Sequence, residues 1–331
     1  MKQLIKEFPA QLKEALTIAH TTKLTATSRK IDNVLICGMG GSGIGANLIQ
    51  TFLFDELSVP ITVNKSYNIP AFVGPNTLVI ACSYSGGTEE TIAGIKEALP
   101  KGALIVGITS GGKLGDLLTA NGMEFVPIPS RDASPRAGIG YAFVQLLKVM
   151  QHFGLSKDTH YADVEETIAL LEAHQDEIEA AGKALAAKLK GKFPIMYADS
   201  RLEPIVLRNQ QQVAENSKQL SHQNVFPEMN HNELVGWVYP ESLLPQTVTI
   251  LLHTSFDHPR SIIRMDICKD IFVKKGSELV ELHAAGTSFI AQCVYLIHLL
   301  DWMSLYLAEE NNVDPFPVEV INYLKEELSK H

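Results

Sequence analysis

Three hydroxyls fall within one short stretch, Ser83-Tyr-Ser-Gly-Gly-Thr88. Ser83, Ser85 and Thr88 can each donate to one oxygen of a phosphate, and the glycines let backbone N–H groups reach the same anion. A second stretch, Cys37-Gly-Met-Gly-Gly-Ser-Gly43, has the composition of a loop that closes on an anion at a helix N-terminus. No Gly-Lys-Ser/Thr closes it, so it is not a nucleotide P-loop. A dinucleotide site wants a carboxylate at the end of the second strand, where this chain reads Thr62-Val-Asn-Lys65. Other uses stay open: the glycines can serve tight packing alone, and Ser85 or Thr88 can cap the following helix. Two such loops, each after a strand, favour a phosphate held as a handle. Neither carries a lysine or Walker aspartate for phosphoryl transfer.

Ser134-Pro-Arg136 adds a cation that can pair with phosphate, with a sugar oxyanion, or stand at the surface. Farther on, Glu215-Asn-Ser-Lys218 ends a predicted helix and precedes a stretch rich in histidine and asparagine. A half-buried Glu215 suits a general base, whereas an exposed helix glutamate is the ordinary alternative. His222 and His231 compete for proton transfer near neutral pH, and position does not separate them. Lys325 is ordinarily a solvated charge, and near a site it would stabilise an oxyanion. His222, Glu228, His231 and Glu233 fall within twelve residues but match no metal-binding helix pattern. Neither a metal nor a cofactor is expected.

Apolar runs at Asn33–Cys37, Val59–Val63, Asn76–Cys82, Ala103–Ile108 and Phe125–Ile128 predict buried strands of a parallel sheet. Helices are expected over about 2–20, 44–54, 88–98 and 139–153. Alternating strands and helices mean βαβ units in a doubly wound α/β domain. A stretch rich in Ala, Glu and Lys from Ala162 to Leu189 reads as a helical connector. A second α/β round follows, with strands at Phe193–Tyr197, Val248–Leu252 and Glu278–Leu282, a helix over about 201–216, and a long helix from about Thr287. The expected domains are residues 1–156 and 157–331, sharing a plan rather than a repeated sequence.

The 331 residues are 46% hydrophobic and 20% charged, which excludes a disordered chain. Lys plus Arg number 28 against 37 Asp plus Glu, a net charge of −9, so nucleic acid and anionic membrane surfaces are not expected partners. Cys37, Cys82, Cys268 and Cys293 lie in apolar runs without a C-x-x-C pairing and read as reduced core residues. The N-terminus shows no signal sequence, and no apolar run approaches the ~20 residues of a membrane span. A cytoplasmic protein is expected.

Taken together, the two loops resemble the sugar isomerase (SIS) domain. Ser134-Pro-Arg136, Glu215-Asn-Ser-Lys218, Pro227-Glu-Met-Asn-His-Asn-Glu233 and Val313-Asp-Pro with Leu324-Lys325 narrow the resemblance to bifunctional phosphoglucose/phosphomannose isomerases. That resemblance covers nearly the whole chain. It implies two flavodoxin-like SIS domains and interconversion of glucose 6-phosphate, with mannose 6-phosphate a further candidate, and fructose 6-phosphate. Gly40, Gly41, Ser42, Ser83, Ser85 and Thr88 would hold the sugar phosphate, and Arg136 would sit over C1 and C2. Glu215 would be the base, His231 the ring-opening residue and Lys325 a further active-site group. The resemblance also implies a homodimer in which His231 reaches the site from the partner subunit. This chain has Gly87 where members commonly have asparagine. Val318 stands near the place of a threonine tied to mannose acceptance.

Overall fold

In the computed structural model, which describes residues 1–130, 134–328 and 330, the apolar runs become two parallel sheets. The first contains β1 (Asn33–Cys37), β2 (Ile61–Asn64), β3 (Thr77–Ser83), β4 (Leu104–Thr109) and β5 (Glu124–Pro127), in the order β2-β1-β3-β4-β5. That is the flavodoxin-like order of doubly wound folds, with its topological switch point between β1 and β3. The second contains β6 (Phe193–Asp199), β7 (His222–Phe226), β8 (Thr247–His253) and β9 (Glu278–His283), in the order β7-β6-β8-β9. The same winding is repeated one strand shorter.

The helices are α1 (Lys2–Lys6), α2 (Phe8–Thr21), α3 (Gly40–Phe52), α4 (Glu89–Ala98), α5 (Gly112–Ala120) and α6 (Ile139–His152). They continue with α7 (His160–Ala173), α8 (Gln175–Leu189), α9 (Glu203–Ser217), α10 (Pro259–Lys274), α11 (Phe289–Glu310) and α12 (Glu319–Leu328). Contacts divide the chain into two units. One comprises Glu7–Glu172 with Ser288–Ala291, and the other Met1–Lys6, Ala173–Thr287 and Gln292–His331.

Several elements differ from expectation for identifiable reasons. The opening helix is broken at Glu7, where Pro9 enters the first turn of α2 and cannot donate a helical bond. The connector is two helices meeting at His174. Helix α3 begins at Gly40 rather than at residue 44, because its glycines are packing residues. A Cβ on Gly45 would lie 2.8 Å from the Ala142 Cβ. Strand β7 was not anticipated, since His222-Gln-Asn is polar, but as an edge strand it needs little burial. Among the described residues, α11 alone is long and apolar enough to cross a membrane by length and composition, and its most apolar stretch is 94% buried.

In the second unit a polar seam joins α9 to α11. Arg208 and Gln212 donate to the two carboxylate oxygens of Asp301 at 2.7 and 2.9 Å, and Asn216 donates to the Ser304 hydroxyl at 2.9 Å. Residues 208, 212 and 216 recur every four positions, so they share one helix face. Both partners of the Arg208–Asp301 pair are buried. Replacing Asp301 with alanine would leave a guanidinium in the core, a loss of about 3–5 kcal/mol. Urea unfolding of Asp301→Ala should show a midpoint lowered accordingly.

Candidate active site

The carboxyl ends of β1 and β3 pair in register, Cys37 beside Ala81, so the loops that follow them flank the switch point of the first sheet. Helix α3 starts there with Met39 as N-cap and no side chain capping its first turn. Its leading N–H groups and the helix dipole are thus presented at the switch point. Gly40 has φ +49°, a conformation costly for other residues. A Cβ on Gly43 would meet the Gly38 carbonyl at 2.7 Å. Ser42 is buried, and its side chain bonds the buried Cys82, drawing α3 onto β3. What Ser42 offers at the loop is therefore its backbone N–H.

After β3, the Ser83 and Thr88 hydroxyls lie 2.8 Å apart. Thr88 occupies the N-cap position of α4 but makes no capping bond with its side chain. The capping alternative is thereby removed for Thr88. Ser85 is exposed at the tip of the loop. Gly86, with φ +66°, is obligatory: a Cβ there would lie 1.8 Å from the Gly111 carbonyl. Gly87 is not, since a side chain would meet only the Ser85 hydroxyl, at 3.8 Å.

Arg136 is not a surface residue. It is 5% exposed, in a 3₁₀ turn (Pro135–Gly138) leading into α6, and donates to the Ser134 hydroxyl at 2.5 Å. That turn is held from two sides. The Gln11 amide of α2 donates to the Ala137 carbonyl at 2.8 Å and accepts from the Gly140 N–H at 2.9 Å. On the other side, a Cβ on Gly41 would lie 3.2 Å from the Pro135 carbonyl, and one on Gly138 would lie 2.8 Å from the Tyr84 ring. Both loops and the arginine turn thus meet in the first unit.

In the second unit Glu215 lies in the last turn of α9, half-buried, beside the seam residue Asn216. Lys218 terminates the helix with φ +53° and donates to the Glu215 carbonyl at 2.5 Å and the Pro317 carbonyl at 2.6 Å. It therefore ties the end of α9 to the segment that opens α12. Lys325 is exposed on α12.

His231 ends a 3₁₀ turn, Glu228–His231, and is exposed, with no hydrogen bond or ion pair among the described residues. His222, on β7, differs: its Nε2 lies 3.0 Å from a Glu233 carboxylate oxygen. Glu233 also accepts from the Tyr197 hydroxyl and, at 2.6 Å, from the Asn224 amide. Tyr197, Asn224 and Gln11 were missed from sequence, where each reads as an ordinary strand or helix residue. Among the described residues, the one grouping with metal-ligand spacing is His253, Glu281 and His283 on β8 and β9, none of them an expected site residue. Lys269 already places its ammonium 2.5 Å from Glu281, which balances the charge of that cluster.

Such a fold defines the class of SIS-domain proteins. The C-terminal domain of glucosamine-fructose-6-phosphate aminotransferase from Francisella tularensis superposes with a TM-score of 0.75 at 13% identity, covering 96% of this chain and 97% of that one. Residues 178–328 match the family described as the bacterial phospho-glucose isomerase C-terminal SIS domain. A bifunctional phosphoglucose/phosphomannose isomerase of Caldicellulosiruptor bescii is 39% identical over 100% of this chain and 99% of its own length. One from Aquifex aeolicus is 36% identical over 90% of this chain and 91% of its own. The chain belongs to the bifunctional phosphoglucose/phosphomannose isomerase family.

The His222–Glu233 pair makes the stability of this region pH-dependent. The bond to Glu233 raises His222 above its ordinary 6.5, against the effect of burial. Burial pushes the Glu233 carboxyl up, yet hydrogen bonds from His222, Tyr197 and Asn224 together hold it below 4.5. The histidine contribution is complete below 6.5 and is lost as pH rises through the raised value, while that of Glu233 is lost only toward acid. Denaturation of the parent and His222→Gln across a pH series should show the parent's advantage fading on the alkaline side.

Proposed function

We propose that the chain interconverts glucose 6-phosphate with fructose 6-phosphate, and mannose 6-phosphate with the same ketose, through a cis-enediolate. The observation that carries this reading is the meeting of three anion-binding parts at one switch point. These are the uncapped α3 N-terminus, the Ser83–Thr88 hydroxyl pair and the buried Arg136 turn. Gly40, Gly41, Ser42, Ser83, Ser85 and Thr88 hold the phosphate as a handle. Arg136 stabilises the enediolate oxygens at C1 and C2. Glu215 moves the proton between C2 and C1, a step that one carboxylate completes without a metal. His231 serves O1 and the ring oxygen in ring opening, and Lys325 balances the developing charge. Mannose and glucose phosphates differ only at C2, and the planar enediolate erases that difference, so one base serves both if it reaches either face.

A homodimer in which each His231 acts in the partner's site belongs to the same reading. Two features support it. His231 is exposed and unengaged among the described residues, and α12 presents Val320, Tyr323 and Leu324 at 82%, 63% and 57% exposure. Mixing inactive Glu215→Gln and His231→Ala chains should restore part of the activity through hybrid sites. No recovery would remove the shared site.

Two measurements test the chemistry. The double substitution Ser85→Ala with Thr88→Ala should raise KM for fructose 6-phosphate steeply, since a hydrogen bond to a charged group is worth ~1.5–3 kcal/mol. An unchanged KM overturns the phosphate assignment. Glu215→Gln keeps the volume but cannot accept a proton, so kcat should fall ~10²–10⁴-fold with phosphosugar binding preserved. Solvent deuterium exchange into C2 of glucose 6-phosphate reads the step directly, and exchange at the parental rate would assign the base elsewhere.

A further inference from the structure

We infer that Glu233 is a positioning residue for His231, holding the turn that carries the exposed ring where ring opening requires it, through a clamp onto β6 and β7. The inference rests on the reading of His231 as the ring-opening group. An acid–base imidazole must stay within hydrogen-bond reach of two sugar oxygens, and a misplacement of ~1 Å can cost ~10²-fold. His231 is exposed, so burial does not fix it. Its neighbours do.

On one side of the histidine, the Asn232 amide donates to a Glu228 carboxylate oxygen at 2.6 Å, closing a small ring of chain around His231. The carbonyl oxygen of the same Asn232 side chain accepts the Glu233 N–H at 2.6 Å. On the other side, the Glu233 carboxylate takes three donors. The Tyr197 hydroxyl from β6 donates to one oxygen, while the Asn224 amide and His222 Nε2 from β7 lie 2.6 and 3.0 Å from the other. His222 and Asn224 alternate along β7 and so share a face.

The anchor itself is rigid. Tyr197 is fully buried, stacks on Phe272 with ring centroids 5.3 Å apart, and accepts the Trp237 indole N–H at 3.1 Å. Trp237 lies four residues past Glu233, so the stretch bearing His231 is gripped by the core on its far side as well. A carboxylate with three fixed donors resists reorientation more than a packed side chain would. His222 belongs to the clamp through its Nε2, 3.0 Å from Glu233.

The test separates ring opening from isomerisation in the full-length protein. Exchange NMR measures the rate at which the α and β anomers of glucose 6-phosphate interconvert, which reports ring opening alone. Turnover of a short aldose phosphate that cannot cyclise reports proton transfer alone. Glu233→Gln should slow anomer exchange ~10²-fold while leaving KM and turnover of the open-chain substrate as in the parent. Tyr197→Phe, which retains the charge and the aromatic packing, should show a smaller loss of the same kind. It keeps the inference testable if the glutamine variant folds poorly. His231→Ala is the reference. If that variant still exchanges anomers at the parental rate, the ring-opening role of His231 is wrong and the clamp has nothing to position. If His231→Ala loses exchange while Glu233→Gln and Tyr197→Phe both keep it, the clamp alone is wrong. Equal losses on cyclic and open-chain substrates, together with a lowered Tm, would make Glu233 a structural residue only and overturn the inference.

Discussion

A Cβ on Gly41 would stand 3.2 Å from the Pro135 carbonyl, and the features of the first unit's site depend on that narrow approach. Because residue 41 has no side chain, the turn carrying Arg136 can lie on the first turn of α3. Because α3 is uncapped there, its N–H groups face the space beside that turn. Gln11 fixes the turn from α2, so three helices converge on one short loop. The chain carries a net charge of −9, and the proposed phosphate site calls for no surplus of lysines. Aligned backbone donors, a helix terminus and one buried guanidinium supply a local positive potential that the overall charge does not cancel.

The second unit solves a different problem, that of holding single side chains in place. Glu215 sits beside Asn216, the last rung of the Arg208–Gln212–Asn216 seam, and its backbone carbonyl is bound by Lys218. A polar seam is a weak source of net stability compared with apolar packing. It does fix register, because a shift of α9 along α11 would leave Arg208 or Asp301 buried without a partner. Positional accuracy is what the proposed role of Glu215 as general base requires, since reach to C1 and C2 tolerates little error. The left-handed conformation of Lys218 serves the same end. By stopping the helix there, it turns an ammonium back onto both Glu215 and the segment that opens α12.

The strands of the first sheet were legible because burial on both faces forces continuous apolar runs, and β1, β3 and β4 show them plainly. The two loops were legible because their residue types are unusual. What escaped had no local signature. Strand β7 is polar and lies at a sheet edge, so neither alternation nor an apolar run marks it. The glycines from Gly40 to Gly45 suggest a loop, but they are helical because Ala142 and Gly38 press against them, a reason found only in three dimensions. Thr88 looked like a cap, and only its partner Ser83 shows that its hydroxyl is used otherwise. His222 and His231 look alike by residue type, and only the fold shows that His222 Nε2 lies 3.0 Å from Glu233 while His231 has no such partner among the described residues.

The two sheets share one winding, yet their switch points are furnished in opposite ways. In the first unit, the loops after β1 and β3 carry glycines and hydroxyls and no carboxylate. In the second, the loop after β8 reads Thr254-Ser-Phe-Asp257, and several of its donors are already taken. The Thr254 hydroxyl and N–H both donate to the Asp257 carboxylate, at 2.5 and 3.0 Å. The Ser255 N–H donates to Gln292 at 2.9 Å. After β6, Asp199 accepts from the Arg201 and His258 N–H groups at 3.0 and 3.3 Å. These two carboxylates, fixed parts of the chain, accept N–H groups at this switch point as the proposed reading has a phosphate do at the other. Burial and the nearby Asp199 push Asp257 up, the cost of keeping two acidic groups close together. An incoming phosphate there would meet two carboxylates. On the proposed reading the duplicated plan divides labour: the first switch point takes the phosphate, while the second, bonded internally through Asp199 and Asp257, frames the unit that carries Glu215 and the loop of His231.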